Sequence, residues 1–123
     1  MKMTKIGYTP QLGDIVTINF DPSKGHEIQK TRPAIVVSND DYNQVTGMIA
    51  VCPITSTKNV KQHFVRINGL EKVRGSVNPF QVRTMDFMDA GRAVKYIETA
   101  PGELIATVLM HLEMVFGFDE LHE

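Results

Sequence analysis

Apolar and polar positions along this chain follow two regimes. Up to residue 97 the apolar residues come in short runs with a period of two or with none, and from Pro101 onward they recur at helical spacing. Residues 14–20 (DIVTINF) predict a strand with Val16, Ile18 and Phe20 on one face. Residues 33–38 and 48–55 are apolar without alternation, which predicts strands buried on both faces. Residues 39–47 predict a polar loop with a helical turn near Tyr42. Further short strands are expected over 63–68, 76–77, 80–85 and 93–97, with Asn68-Gly69 and Asn78-Pro79 as turns. Residues 1–12, broken by Gly7 and Pro10, predict a mobile lead-in. Leu104, Val108, Leu112 and Val115 then make a helical stripe widened by Ile105, Leu109 and Phe116. Thr99 or Ala100 is the expected N-cap and Gly117 the stop. Many short strands followed by one helix predict a β-rich α+β fold, a small twisted or barrel-like antiparallel sheet with a C-terminal helix packed on it.

Composition narrows the function classes. The 123 residues, 42% hydrophobic and 22% charged, suit one folded domain over 1–123. The longest apolar run is 48–52, against about 20 residues for a membrane span. With no apolar stretch of secretory type near the start and a single cysteine, Cys52, the expectation is a cytoplasmic protein without membrane contact. Cys52 falls in an apolar strand and is expected to be an inert thiol. The four histidines are scattered, so no metal and no cofactor are expected, and nucleotide and lipase-type motifs are absent. The net charge of −1 hides a basic body: residues 1–97 carry +5 and residues 98–123 carry −6. Residues 22–33 are +2 and 56–74 are +4, which suits a polyanion, although solvated surfaces have the same composition.

The candidate chemistry lies in residues 27–33 and 53–57. Arg32 precedes a strand-opening proline, which restrains its backbone to extended geometry. If strands 33–38 and 48–55 are neighbours, Arg32 converges with Thr55 and Ser56, and arginine with hydroxyls can grip a phosphate. The alternative is a surface arginine paired with Glu27. Phe64, Phe80 and Tyr42 are candidates for stacking on bases, or else for core packing.

Taken in order, residues 13–16 (GDIV), 20–27 (FDPSKGHE), 31–34 (TRPA), 42–43 (YN), 47–48 (GM), 53–55 (PIT) and 81–84 (QVRT) resemble the MazF/PemK toxin family over a core of about 12–117. The resemblance implies an SH3-like antiparallel β-barrel of the MazF/PemK/CcdB type and a homodimer. It implies an endoribonuclease toxin of a type II toxin–antitoxin system, an mRNA interferase that cuts single-stranded RNA at short motifs. That chemistry needs no metal and leaves a 2′,3′-cyclic phosphate and a 5′-hydroxyl. The implied partner is an antitoxin with a flexible acidic and hydrophobic C-terminal tail. Matched residue by residue, Arg32, Thr55 and Glu27 are the expected catalytic residues. Lys24, His26, Lys30, Ser56, Lys58, Lys61, His63 and Gln81 are the expected RNA contacts. The chain departs from the PemK-like branch in having Phe80 and Asn78 where that branch has Asp and Arg. The base is then Glu27 or another group, or the chemistry is mainly orientation and charge stabilisation. Met85, Phe87 and Met88 are the expected apolar patch of the dimer. The competing readings are a non-catalytic binder of nucleic acid and a CcdB-like protein-target binder. The latter relies on a Trp-Gly-Ile motif, and this chain has no tryptophan.

Overall fold

The computed structural model describes residues 3–4, 7–21, 31–58 and 60–118. Nine strands and two α-helices follow one another among these residues. β1 (Met3–Thr4) and β2 (Gly7–Tyr8) pair as a small hairpin where a lead-in without structure was expected. Tyr8 ties it down by donating to the Asp14 carboxylate, which also accepts the Gln11 N–H at 2.9 Å.

The main sheet is antiparallel with strand order β6-β7-β5-β4-β3-β9, and β8 also pairs with β5. Its members are β3 (Asp14–Asn19), β4 (Thr31–Val36), β5 (Met48–Thr55), β6 (Val65–Arg66), β7 (Ser76–Val77), β8 (Arg83–Asp86) and β9 (Lys95–Thr99). The long β5 organises it. β4 runs along one edge, while β8 takes the first half and β7 the second half of the other edge. β5 therefore turns from one sheet segment into the next, the geometry of a barrel wall.

Apolar clusters form on both faces. Ile15, Ile35, Cys52, Ile54 and Val77 meet Leu104, Val108 and Leu112 of α2 (Gly102–Phe116). Val16, Ile18, Ala34, Val36, Ile49, Val51, Met85 and Phe87 form the second cluster. β3 was expected to show one apolar face, yet Ile15, Val16 and Ile18 are all fully buried because α2 covers the other side. Burial pushes the Cys52 thiol up to about 12, so it stays protonated and inert.

Local chemistry explains where the boundaries moved. The turn at Tyr42 is a seven-residue helix, α1 (Asp40–Thr46), capped by the Asn39 side chain accepting from Tyr42 N–H at 2.8 Å. Residues 80–82 are not strand. The Asn78 side chain accepts from Phe80 N–H at 3.1 Å, and Pro79–Gln81 closes as a 3-10 turn, so β8 begins at Arg83. β9 starts at Lys95 because Ala93 sits in the left-handed region at φ 51°. α2 starts later than expected, with Pro101 as N-cap, since Ala100 N–H still bonds Gly13 C=O at 2.9 Å. Gly117 ends it in the left-handed conformation expected of a stop signal. The apolar patch expected at 85–88 is corrected: Met85 and Phe87 are interior, 1% and 8% exposed, and only Met88 is at the surface. No helix among the described residues is long and apolar enough to cross a membrane.

Candidate nucleic-acid interface and active site

The face of β4 and β5 that carries Ala34, Val36, Ile49 and Val51 in the interior surfaces at its far end. There the strands are held by the pair Ala34–Pro53. Two residues beyond that pair on each strand stand Arg32 and Thr55, on the same alternation as Ala34 and Pro53, at strand ends that lie side by side. Pro33 and Pro53 flank the pair and fix φ on both strands.

Arg32 and Thr55 line one groove of about 540 Å³ with Ser56, Thr57, Lys61, Phe64, Arg74, Asn78 and Gln81. A second hollow shares Arg32, Pro53 and Gln81 and extends the groove toward Phe20 and Arg83. The described residues lining both include four cations, Arg32, Lys61, Arg74 and Arg83, and no carboxylate. Such a cleft concentrates positive potential. The Arg83 guanidinium lies 5.5 Å from the centre of the Phe20 ring, a cation–π contact that steadies it.

The Thr55 hydroxyl accepts the Thr57 N–H at 3.2 Å, so its own proton is available to an acceptor in the groove. The backbone behind it is clamped by Gly75. A Cβ there would sit 2.1 Å from the Thr55 carbonyl oxygen, and Gly75 adopts φ +123°. The loop leading to Gly75 is held in turn by Glu98 on β9. Its carboxylate accepts the N–H groups of Glu71, Lys72 and Val73 at 3.0, 2.8 and 3.0 Å. Arg74 and Gly75 therefore come to the groove on a fixed loop.

Of the residues the sequence nominates, Arg32, Thr55, Ser56, Lys61 and Gln81 are brought together. His63 is beside the groove, its ring 4.7 Å from that of the groove residue Phe64. Lys58 lines a neighbouring hollow with Val60 and Arg66 and not this groove. Lys24, His26, Glu27 and Lys30 lie outside the described residues. Sequence reasoning counted Arg74 only as charge, included Thr57 and Arg83 in its candidate segments 53–57 and 81–84 without giving either a role, and did not single out the supports Gly75 and Glu98. Gly75 following Arg74 was the one legible signal, a glycine beside a cation in a basic loop. Among the described residues no three His, Cys, Asp or Glu side chains gather as a metal site.

The family model for the PemK-like, MazF-like toxin of type II toxin–antitoxin systems matches residues 11–116. The chain belongs to the PemK/MazF toxin family. It is 39% identical over 112 residues to the endoribonuclease toxin ChpB of Escherichia coli K12, covering 84% of this chain and 90% of the relative. It is 36% identical over 97 residues to the endoribonuclease toxin MazF of the same strain, covering 79% and 86%. The fold is that of solved MazF proteins. MazF of Deinococcus radiodurans aligns with a TM-score of 0.77 at 33% identity, over 90% of this chain and 99% of that one. A MazE–MazF structure from the same organism gives 0.75 at 30%, over 89% and 97%. Membership of the family accounts for an antiparallel sheet with a C-terminal helix, and in this member the Arg32–Thr55 groove is a cationic concavity at the ends of β4 and β5.

Proposed function

We propose that this endoribonuclease toxin cuts single-stranded RNA at short sequence motifs, without a metal, by attack of the substrate's 2′-hydroxyl on the adjacent phosphate. The O2′–P bond forms, the P–O5′ bond breaks, and a 2′,3′-cyclic phosphate and a 5′-hydroxyl result. The observation that carries this reading is the meeting of Arg32 and Thr55 in one groove whose described charges are all positive. The nucleophile belongs to the substrate, so the protein must align it and stabilise charge on the phosphate. Arg32 offers a fork of donors whose charge never titrates off, and Thr55 donates its free proton to a phosphate oxygen. Lys61, Arg74 and Arg83 hold flanking phosphates, which sets affinity and register rather than sequence. Thr55 is no base near neutral pH. Glu27, the carboxylate matched through the family, takes the 2′-hydroxyl proton in this scheme, and the leaving 5′-oxygen gains a proton from water to become the 5′-hydroxyl.

A type II toxin has an antitoxin partner, and a MazE–MazF assembly is among the solved relatives. An acidic tail with apolar anchors would compete with RNA for the basic groove and offset the cost of its ordering by apolar burial. The homodimer is assigned to the outer face of α2. Met110, Met114 and Phe116 are 63%, 74% and 54% exposed there, and Phe118, just past the helix end, is 54% exposed. Leu109, Met110, Phe116 and Phe118 border an apolar hollow of about 830 Å³ together with Val37 and Val82. A patch of this kind on one helix suits a two-fold contact with its own copy.

The test is cleavage of an end-labelled single-stranded RNA in excess EDTA, with product ends read by phosphatase and kinase sensitivity. Fragments with cyclic phosphate ends are expected from the wild type. A protein that binds the RNA but leaves it intact, with or without added divalent cations, overturns the catalytic reading in favour of a binding module.

A further inference from the structure

We infer that the exposed face of Phe80, stacked on His63 beside the groove, binds one unpaired nucleobase of the RNA substrate. The inference rests on the proposed function and adds a specificity-determining subsite to it. Phe80 occupies the position where the sequence departs from the PemK-like pattern, and the core-packing alternative for it fails, since it is 50% exposed. Its pose is fixed before anything binds. Pro79 is buried, the Asn78 side chain accepts the Phe80 N–H at 3.1 Å, and the 3-10 turn lifts the ring outward. The His63 ring lies parallel to it, with centroids 4.0 Å apart and planes at 8°. Phe64 braces His63 edge-on at 4.7 Å and 70°. Three rings thus run from the groove, which Phe64 lines, out to Phe80.

A lone exposed aromatic needs no explanation. A pre-stacked one beside a phosphate-gripping groove does. Asn78 and Gln81, on either side of Phe80 in the chain, both line the groove with Lys61. Residues 61, 62 and 81, next to the stacked rings in the chain, are exposed and polar, as suits a surface that meets a polyanion. A flat ring among cations and amides matches an unpaired base with its flanking phosphates. Stacking tolerates any base. Discrimination falls to Gln81, whose amide has both donor and acceptor for a base edge. Because the base is held alike in ground and transition states, the platform acts on KM and not on kcat.

The experiment pairs protein variants with abasic RNAs. Abasic sites are walked one at a time along the cleaved RNA. At one position beside the cut, the wild type should lose on the order of tenfold in KM with kcat held. Phe80→Ala should show the same loss on intact RNA and no further loss on that abasic RNA, while Phe80→Trp keeps the wild-type KM. The chain has no tryptophan. The one introduced by Phe80→Trp therefore reports stacking directly, by fluorescence quenching on titration with single-stranded DNA of the same sequence, which lacks the 2′-hydroxyl. A wild-type KM for Phe80→Ala, or additive losses from the variant and the abasic site, overturns the inference. So does a shift in sedimentation accompanied by additive losses, which would place Phe80 in a protein contact. Quenching without any RNA cleavage would sink the catalytic reading and leave the base platform standing. Cleavage with no abasic-sensitive position and no quenching would do the reverse.

Discussion

Val82 and Arg83 divide two open surfaces of opposite character. On one side is the groove of Arg32, Thr55, Lys61 and Arg74, and on the other the apolar hollow beneath α2. The groove is built at strand ends, where register and turns decide which side chains meet. Its supports are single contacts of fixed geometry, such as Gly75 against the Thr55 carbonyl. The helix surface is built from repeated apolar positions, where area matters and no one contact is decisive. A site for a phosphate transition state needs the first kind of construction, because charge stabilisation depends on donor placement. A surface for another chain can use the second, because apolar burial is non-directional.

The largest effect that separates the two surfaces is expected from Arg32→Ala. It should slow RNA cleavage at least ~100-fold, as for loss of one transition-state donor, and leave sedimentation unchanged. Arg32 is exposed, so denaturant unfolding should shift by no more than about 0.5 kcal/mol. Wild-type cutting by this variant would remove Arg32 from the mechanism.

Next in size is the double change Met110→Glu with Phe116→Glu. In the homodimer proposed on α2, burying two new like charges against their copies should weaken association by about 30-fold or more, seen as a concentration-dependent shift in sedimentation. A dimer of unaltered affinity would place the two-fold contact on another face. If the separated protomers still grip an uncleavable oligonucleotide, the division between the surfaces is sharpened.

Glu98→Gln probes the groove's support and should act more gently. The three N–H groups use both carboxylate oxygens, and in Gln one of these becomes an NH2 that cannot accept, so at least one bond is lost and the loop bearing Arg74 loosens. The slope of log binding constant against log salt should fall by about 0.7, the value of one single-strand phosphate contact. An unchanged slope with lower stability would reduce Glu98 to a purely architectural residue.

The smallest contrast lies between two lysines of one loop. Lys61→Glu should weaken RNA binding several-fold more than Lys58→Glu at ~0.1 M salt, because only Lys61 lines the groove and screening discounts the more remote charge. Equal losses would show that the RNA path also covers the neighbouring hollow.

How much of this was legible in advance differs between elements. β5 spans residues 48–55 as the unbroken apolar run predicts, and α2 ends at Gly117 as a left-handed stop requires. These follow from local chemistry, as does the restraint that prolines 33 and 53 place on the strands of Arg32 and Thr55. The family resemblance nominates that pair, and the structure brings both residues to one groove. The strand boundaries at 80–85 and 93–97 moved because an asparagine side chain and a left-handed alanine closed turns that apolar counting does not see. The second buried face of β3, the interior position of Met85 and Phe87, and the recruitment of Arg74 by Glu98 depend on segments 25 or more residues apart. Periodicity records which side of an element is apolar. Which neighbour covers each side, and which charged loop is drawn to which strand end, is settled only when distant parts of the chain compete for the same buried surface and the same hydrogen bonds.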